Sequence, residues 1–337
     1  MPPLCAIPHP YLKANVKIAP IIFSDMELRQ LEVLIAIADH RSFSGAARAL
    51  STVQSNVSAH ISRLEKELTT SLVDRSSGRL TEDGELVVER ARRVLNQIQD
   101  IAADVHSTDE NVEGETQLGC IGTTGRWLMP KFLPKLASKH PKVRATIVEG
   151  STLNLIPRLS TGSLDAAILH FPIEDSNLHS TPLFAEDLVM LVHAKHEWSQ
   201  LEKITIKELS TRPLLLPPKS NSLRRILDRA AGSQRLSLIA QAEIDGVRLL
   251  TSLAFEGFGA AIVPATAAPG WIKGEFKRVA IPELPRRVVG LVQRVRPLPS
   301  KSTKAICDLI REVVEKSGDK QPGVHIGKGA FPLTATR

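Results

Sequence analysis

Cysteine is scarce in this 337-residue sequence: Cys5, Cys120 and Cys307 stand far apart, with no CxxC pair among them. That spacing excludes a disulfide framework and the usual zinc ligand sets. Free thiols in a reducing, cytoplasmic compartment are the expectation, with a redox-sensing pair as the alternative. Long apolar runs are also missing, and none approaches the roughly 20 residues that a membrane-spanning helix needs. Residues Met1–Asp25 carry five prolines and lack the apolar stretch and small-residue cleavage site of a secretory signal. They read as a disordered extension. Catalytic signatures are absent too: there is no GxSxG, no P-loop and no HExxH. Ten histidines supply no ligand set. His193 and His196 lie three apart at a strand end with no third ligand nearby, and His140 precedes Pro141 at a helix end, where a cation fits. No nucleophile is paired with a base. The expectation is a protein that is not an enzyme and has no metal and no resident cofactor.

What is present is an ordinary globular composition, 42% hydrophobic with a formal charge of +7. The surplus of positive charge suits an anionic partner, although Met26–Thr81 holds nearly as many acids as bases. The organising stretch is Ser42–Glu67, SFSGAARALSTVQSNVSAHISRLEKE. It reads as two short helices joined by a tight turn at Ser51-Thr52. The first spans Ser44–Leu50, with Ser44 as N-cap and Gly45, Ala46 and Ala47 small enough for a second helix to approach. The second runs from about Val53 to Leu68, with Val57, Ile61, Leu64 and Leu68 on one face. Its other face offers Gln54, Ser55, Asn56, Ser58, Ala59, His60 and Arg63, the short hydrogen-bonding groups and cation that a major-groove helix uses. A solvated helix pair in an ordinary helical domain would share the periodicity.

At these positions the sequence resembles the N-terminal domain of LysR-type transcriptional regulators. The matching residues are Met26-Glu27-Leu28-Arg29-Gln30-Leu31, Ser42-Phe43-Ser44, Ala46-Ala47, Leu50, Gln54-Ser55, Val57-Ser58, Ile61, Leu64-Glu65, Leu68, Leu72, Arg75, Leu80-Thr81 and Gly84. Thr69 stands where the family usually has Gly. The resemblance implies a winged helix-turn-helix over 26–81, with Leu72–Thr81 as the wing; Arg75 and Arg79 flank its tip beside the second helix and read as phosphate contacts, with ordinary solvated charges as the alternative.

A long helix follows, capped by Thr81 and running to about Ser107. Val87, Ala91, Val94, Ile98, Ile101 and Val105 alternate four and three apart, which is a heptad seam. An amphipathic helix packed on its own domain is the alternative, and the resemblance favours a dimerising linker over 82–107. Residues 108–114 read as a hinge. Beyond it, strands and helices alternate, implying a parallel sheet wrapped by helices. Leu164-Asp165 with Ile168, Gly150-Ser151-Thr152, Glu186-Asp187-Leu188-Val189 and Gly257-Phe258-Gly259 before Pro264 resemble the family's co-inducer domain. That domain is an α/β, two-lobed, type II periplasmic-binding-protein-like fold. The expected layout is lobe I at about 115–170 and 265–316, lobe II at about 171–264, and a flexible tail over 317–337.

A cleft between such lobes is built from helix N-termini, where free N–H groups and hydroxyls suit an anion. Thr123-Thr124, Ser151-Thr152 and Asn221-Ser222 each open a helix, although each also reads as a plain cap. His170, near the expected crossover, is either a ligand contact or a packing residue. The resemblance therefore implies a regulator that binds double-stranded promoter DNA as a dimer or tetramer, responds to a small anionic co-inducer, works with RNA polymerase and stays off the membrane. A transporter's solute-binding protein would explain the lobes but not residues 26–107. An α/β enzyme with a helical appendage lacks catalytic residues.

Overall fold

The computed structural model describes residues 26–108 and 111–331, so the expected extension over 1–25 and the last six residues of the tail lie outside the described residues. The chain divides into two compact units, Met1–Leu95 and Asn96–Arg337.

The first unit opens with α1 (Leu28–His40), α2 (Phe43–Ala49) and α3 (Gln54–Leu68). Leu31, Leu34, Ile37, Ala46, Ala47, Val57, Ile61 and Leu64 close its core. The cap of α2 is Ser42, whose hydroxyl accepts from the Gly45 N–H at 3.0 Å, and not Ser44 as expected. The helix starts one residue earlier because Phe43 packs against the core. Thr69 ends α3 at φ 53°, a left-handed conformation that glycine adopts freely and a β-branched residue resists. Strands β1 (Val73–Asp74) and β2 (Arg79–Leu80) pair antiparallel as the wing. Next comes α4 (Glu82–His106), capped by the Thr81 hydroxyl, which accepts from the Gly84 N–H at 3.0 Å. A Cβ on Gly84 would stand 2.0 Å from the Leu72 carbonyl oxygen, so only glycine lets this helix start so close to the wing.

In the second unit, the last turns of α4 are fastened locally: Asp104 accepts from the Lys301 N–H at 2.8 Å, and Lys301 Nζ donates to the Ser107 carbonyl at 2.7 Å. Elements follow as β3 (Glu113–Ile121), α5 (Gly122–Lys139), β4 (Lys142–Gly150), α6 (Thr152–Ser160), β5 (Ala166–His170), β6 (Leu178–Glu186), β7 (Leu188–His193), α7 (Ile206–Leu209), β8 (Pro213–Leu216), α8 (Ser222–Ser233), β9 (Ile239–Glu243), α9 (Val247–Phe255), β10 (Ala261–Pro264), β11 (Phe276–Ala280), β12 (Arg287–Arg294), α10 (Lys301–Ser317) and β13 (Val324–His325). They form a six-stranded sheet in the order β13-β6-β12-β5-β3-β4 and a five-stranded sheet in the order β11-β7-β10-β8-β9. Each sheet is one lobe, with its own core.

Two expectations need correction. The lobes exchange chain at Asp187 and again between β11 and β12, not near 170 and 264. Strand β6 pairs with β12 along its length, from Leu178↔Arg294 to Glu186↔Arg287, which holds it in the first lobe. The expected flexible tail is, over 318–331, a docked segment. The Gly323 carbonyl accepts from the Asp187 N–H at 2.8 Å, and β13 pairs with β6. The buried Gln321 side chain accepts from the Gly270 N–H at 2.9 Å and donates to the Ala265 carbonyl at 3.1 Å. One segment thus bonds to both lobes at the crossover.

Candidate DNA-binding face and effector cleft

On α3 the apolar stripe of Val57, Ile61 and Leu64 is fully buried. Gln54, Ser55, Asn56, Ala59 and Arg63 are exposed, and Ser58 is half-buried. Ser44, on α2, is exposed as well. Asn56 donates to the Thr52 hydroxyl at 3.1 Å, which ties it to the turn between the helices. His60 turns partly inward, with its Nδ1 buried. Arg79 stands exposed on the wing. Arg75 is held in place: its guanidinium donates to Ser62 at 2.8 Å and to Glu65 at 3.0 Å. Glu65 also accepts from the Leu72 and Val73 N–H groups at 2.9 and 3.2 Å. Those donors outweigh partial burial and keep its carboxyl below the usual range. The wing is therefore locked to α3 through one carboxylate.

The seam expected on α4 divides. Ala91 is buried in the helical core and Val87 packs against it. The core takes the start of the seam because the helix crosses its own domain first. Val94, Ile98, Ile101 and Val105 are exposed by 42, 39, 65 and 76%.

In the second unit a cavity of about 530 Å³ lies between the two sheets. The N-termini of α5, α6, α8 and α9 all reach it. Two are capped by side chains: Ser151 Oγ accepts from the Asn154 N–H at 3.2 Å, and Asn221 Oδ1 from the Leu223 N–H at 2.9 Å. The caps of α5 and α9 are Ile121 and Gly246, which provide no side-chain acceptor. Their first-turn N–H groups and the positive ends of their dipoles are available to a ligand.

Thr123, Ser151, Thr152, His170, Asn221 and Ser222 all line this cavity. Thr124 does not. It is fully buried beneath the helix, one residue and about 100° around from Thr123. His170 ends β5 inside the first lobe, not at a crossover. Its main-chain N–H donates to Thr152 Oγ1 at 3.3 Å. Both of its ring nitrogens are buried and have no partner among the described residues. Burial, reinforced by the charge of Arg287, pushes its pKa down to about 4, so the ring is neutral at neutral pH.

Arg287 is a site residue that sequence reasoning missed, as are Glu149, Asp245 and Arg248. Arg287 is buried, and its guanidinium donates to Thr123 Oγ1 at 2.9 Å and to Glu186 Oε1 at 2.6 and 2.9 Å. Glu186, fully buried, also accepts from the Thr266 N–H and hydroxyl at 2.9 and 2.8 Å. The only signal was an arginine opening a strand directly after another arginine, where exposure is the ordinary reading.

A sequence profile of the LysR substrate binding domain matches residues 109–315, and one of the bacterial regulatory helix-turn-helix proteins of the lysR family matches 28–85. The chain belongs to the LysR family of transcriptional regulators. It is a DNA-binding regulator with an effector-binding domain, and the helix-turn-helix match removes the case for a transporter's solute-binding protein. Among LysR relatives, the Escherichia coli K12 DNA-binding transcriptional dual regulator OxyR is 31% identical over 306 residues, covering 88% of this chain and 98% of that protein. A probable hydrogen peroxide-inducible genes activator of Mycobacterium avium is 27% identical, covering 84% of this chain and 93% of that one. A full-length cysteine variant of OxyR from Pseudomonas aeruginosa aligns with a TM-score of 0.64 at 25% identity, covering 85% of this chain and 98% of that one. The fold is also that of CbnR complexed with its target DNA, with a TM-score of 0.66 at 20% identity, covering 87% of this chain and all of that one.

Proposed function

We propose that this LysR-type regulator reads promoter DNA with Gln54, Ser55 and Ser58 of α3. Asn56, Ala59, His60, Arg63 and Ser44 flank that surface, and Arg79 meets the phosphates. Arg75, committed to Glu65, steadies the wing. The exposed half of the seam, Val94 to Val105, pairs two chains, and pairs associate into tetramers that engage RNA polymerase in the cytoplasm. The protein catalyses nothing. It responds to a small anion in the cleft, and the observation carrying this reading is that four helix N-termini reach one cavity, two of them without a side-chain cap.

The relatives' names raise a second reading, a peroxide response through thiols. The described cysteines argue against it. Cys120 and Cys307 are both buried. Burial raises both thiols, Cys307 to about 12 and Cys120 further still. A thiolate is the reactive species, and neither residue supplies one at neutral pH.

The test is binding to promoter fragments. Gln54→Ala and Ser58→Ala should each weaken operator binding by about 1–3 kcal/mol and change random-DNA binding less. Equal losses on both DNAs would remove the base-reading role.

A further inference from the structure

The floor and mouth of the cleft narrow the kind of anion it takes. The floor carries His170, 8% exposed, with two buried ring nitrogens that lack a partner among the described residues. Buried polar atoms are normally satisfied, and because His170 lines the cavity its ring is open to a ligand group. The neutral ring has one donor and one acceptor. A hydroxyl can answer either nitrogen, whereas a second carboxylate can only accept.

The main-chain N–H of His170 is bonded to Thr152, the first residue of α6. Both residues line the cavity, so a carboxylate resting on that helix terminus lies close to His170. The group that the imidazole reads then sits near the carboxylate carbon, as a 2-hydroxyl does.

Charge sets the number of carboxylates. The charged residues lining the cavity are Arg248 and Arg287 against Glu149 and Asp245. Arg287 is bonded to Glu186, and Arg248 lies 3.1 Å from Glu149. With side-chain charges in balance, the helix N-termini supply the positive potential, which suits a single negative charge.

At the mouth, Leu153 from one lobe and Leu249 from the other line the cavity while 54 and 57% exposed. They ask for an apolar body. A volume of about 530 Å³ falls in the range of organic-ligand sites and is far larger than an inorganic anion needs.

We propose that the cleft selects a 2-hydroxy monocarboxylate with an apolar body, and that His170 reads its hydroxyl. This rests on the cleft being the anionic effector site. The carboxylate lies between the uncapped first turn of α5 and Thr152 at the start of α6, the hydroxyl meets the imidazole, and the apolar body spans Leu153 and Leu249.

The experiment uses full-length protein and calorimetric titration with 2-hydroxy-4-methylpentanoate, 4-methylpentanoate, methylsuccinate and inorganic phosphate. Wild type should bind the hydroxy acid about tenfold more tightly than the acid lacking the hydroxyl. His170→Phe should bind the two equally, and His170→Gln, which keeps a donor and an acceptor, should restore part of the preference. The melting curve of each variant checks its fold. Equal affinity of wild type for the two monocarboxylates overturns the proposal, as does a persisting preference in folded His170→Phe. Tighter binding of methylsuccinate or phosphate also overturns it while leaving the anion-site reading in place. Inertness toward all of the probes overturns both.

Discussion

Replacing Arg287 by Met removes the cation from a carboxylate that has no access to water. Glu186 is 0% exposed and keeps only the Thr266 N–H and hydroxyl as donors once the guanidinium is gone. The two hydrogen bonds of 2.6 and 2.9 Å to Arg287 are lost together, and Thr123 loses its donor. Breaking a buried pair from one side costs about 3–5 kcal/mol, because the remaining charge stays desolvated. For a domain of this size, that loss is a fall in Tm of about 6–20 °C. Trp127, Trp198 and Trp271 all lie in the second unit, so tryptophan fluorescence during denaturant or thermal unfolding reports on the effector domain alone. Adding Glu186→Gln keeps an acceptor for Thr266 and removes the stranded charge. The double variant should therefore recover at least about 1 kcal/mol relative to Arg287→Met. A loss below about 1 kcal/mol in the single variant, or no recovery in the double, would refute the reasoning. It would mean that Glu186 finds water or another donor when Arg287 leaves.

Other outcomes follow from the same structure. Val94→Glu places like charges across the paired helices and should abolish dimers and operator affinity while the effector domain stays folded; a variant sedimenting like wild type would remove the seam. Burial, then the charges of Asp165 and Asp104, raise the Asp100 carboxyl from 3.8 to about 6. Its folded value lies above its unfolded one, so the protein should be most stable below 3.8 with respect to this group and lose stability as pH rises through about 6. Solvent screening limits that loss to about 1 kcal/mol, and Asp100→Asn should flatten the denaturation midpoint over this window; an unchanged slope would show that Asp100 is not the group responsible. In a Cys5→Ser chain, native protein should resist thiol reagents and label fully only after unfolding, and rapid native labelling would return a thiol response to consideration.

The helix-turn-helix was legible because its buried residues recur at helical spacing and its turn is local. The caps were less so: Ser42 and Ser44 are equivalent in type, and the packing of Phe43 decided between them. Lobe boundaries were misplaced because β6 and β11 carry polar residues within long-range sheets, and partners more than eighty positions away set their membership. In the cleft, the helix-opening threonines were visible, yet only packing separates Thr123 from Thr124. Arg287 was hidden because its burial depends on Glu186, on another strand. The docked segment after α10 was missed since its hydrogen bonds run to Asp187, Ala265 and Gly270, none of them near in sequence.

The sheet that β13 joins has a consequence for synthesis. Its strands come from residues as early as Glu113 and as late as His325, with the whole second lobe made in between. The helical unit, by contrast, is complete by Leu95. A growing chain emerges from its N-terminus and folds unit by unit. The part that grips DNA is therefore finished while the part that senses the effector still lacks its central strand β12 and its final strand. An interrupted message would yield a fragment able to occupy DNA and unable to answer a signal.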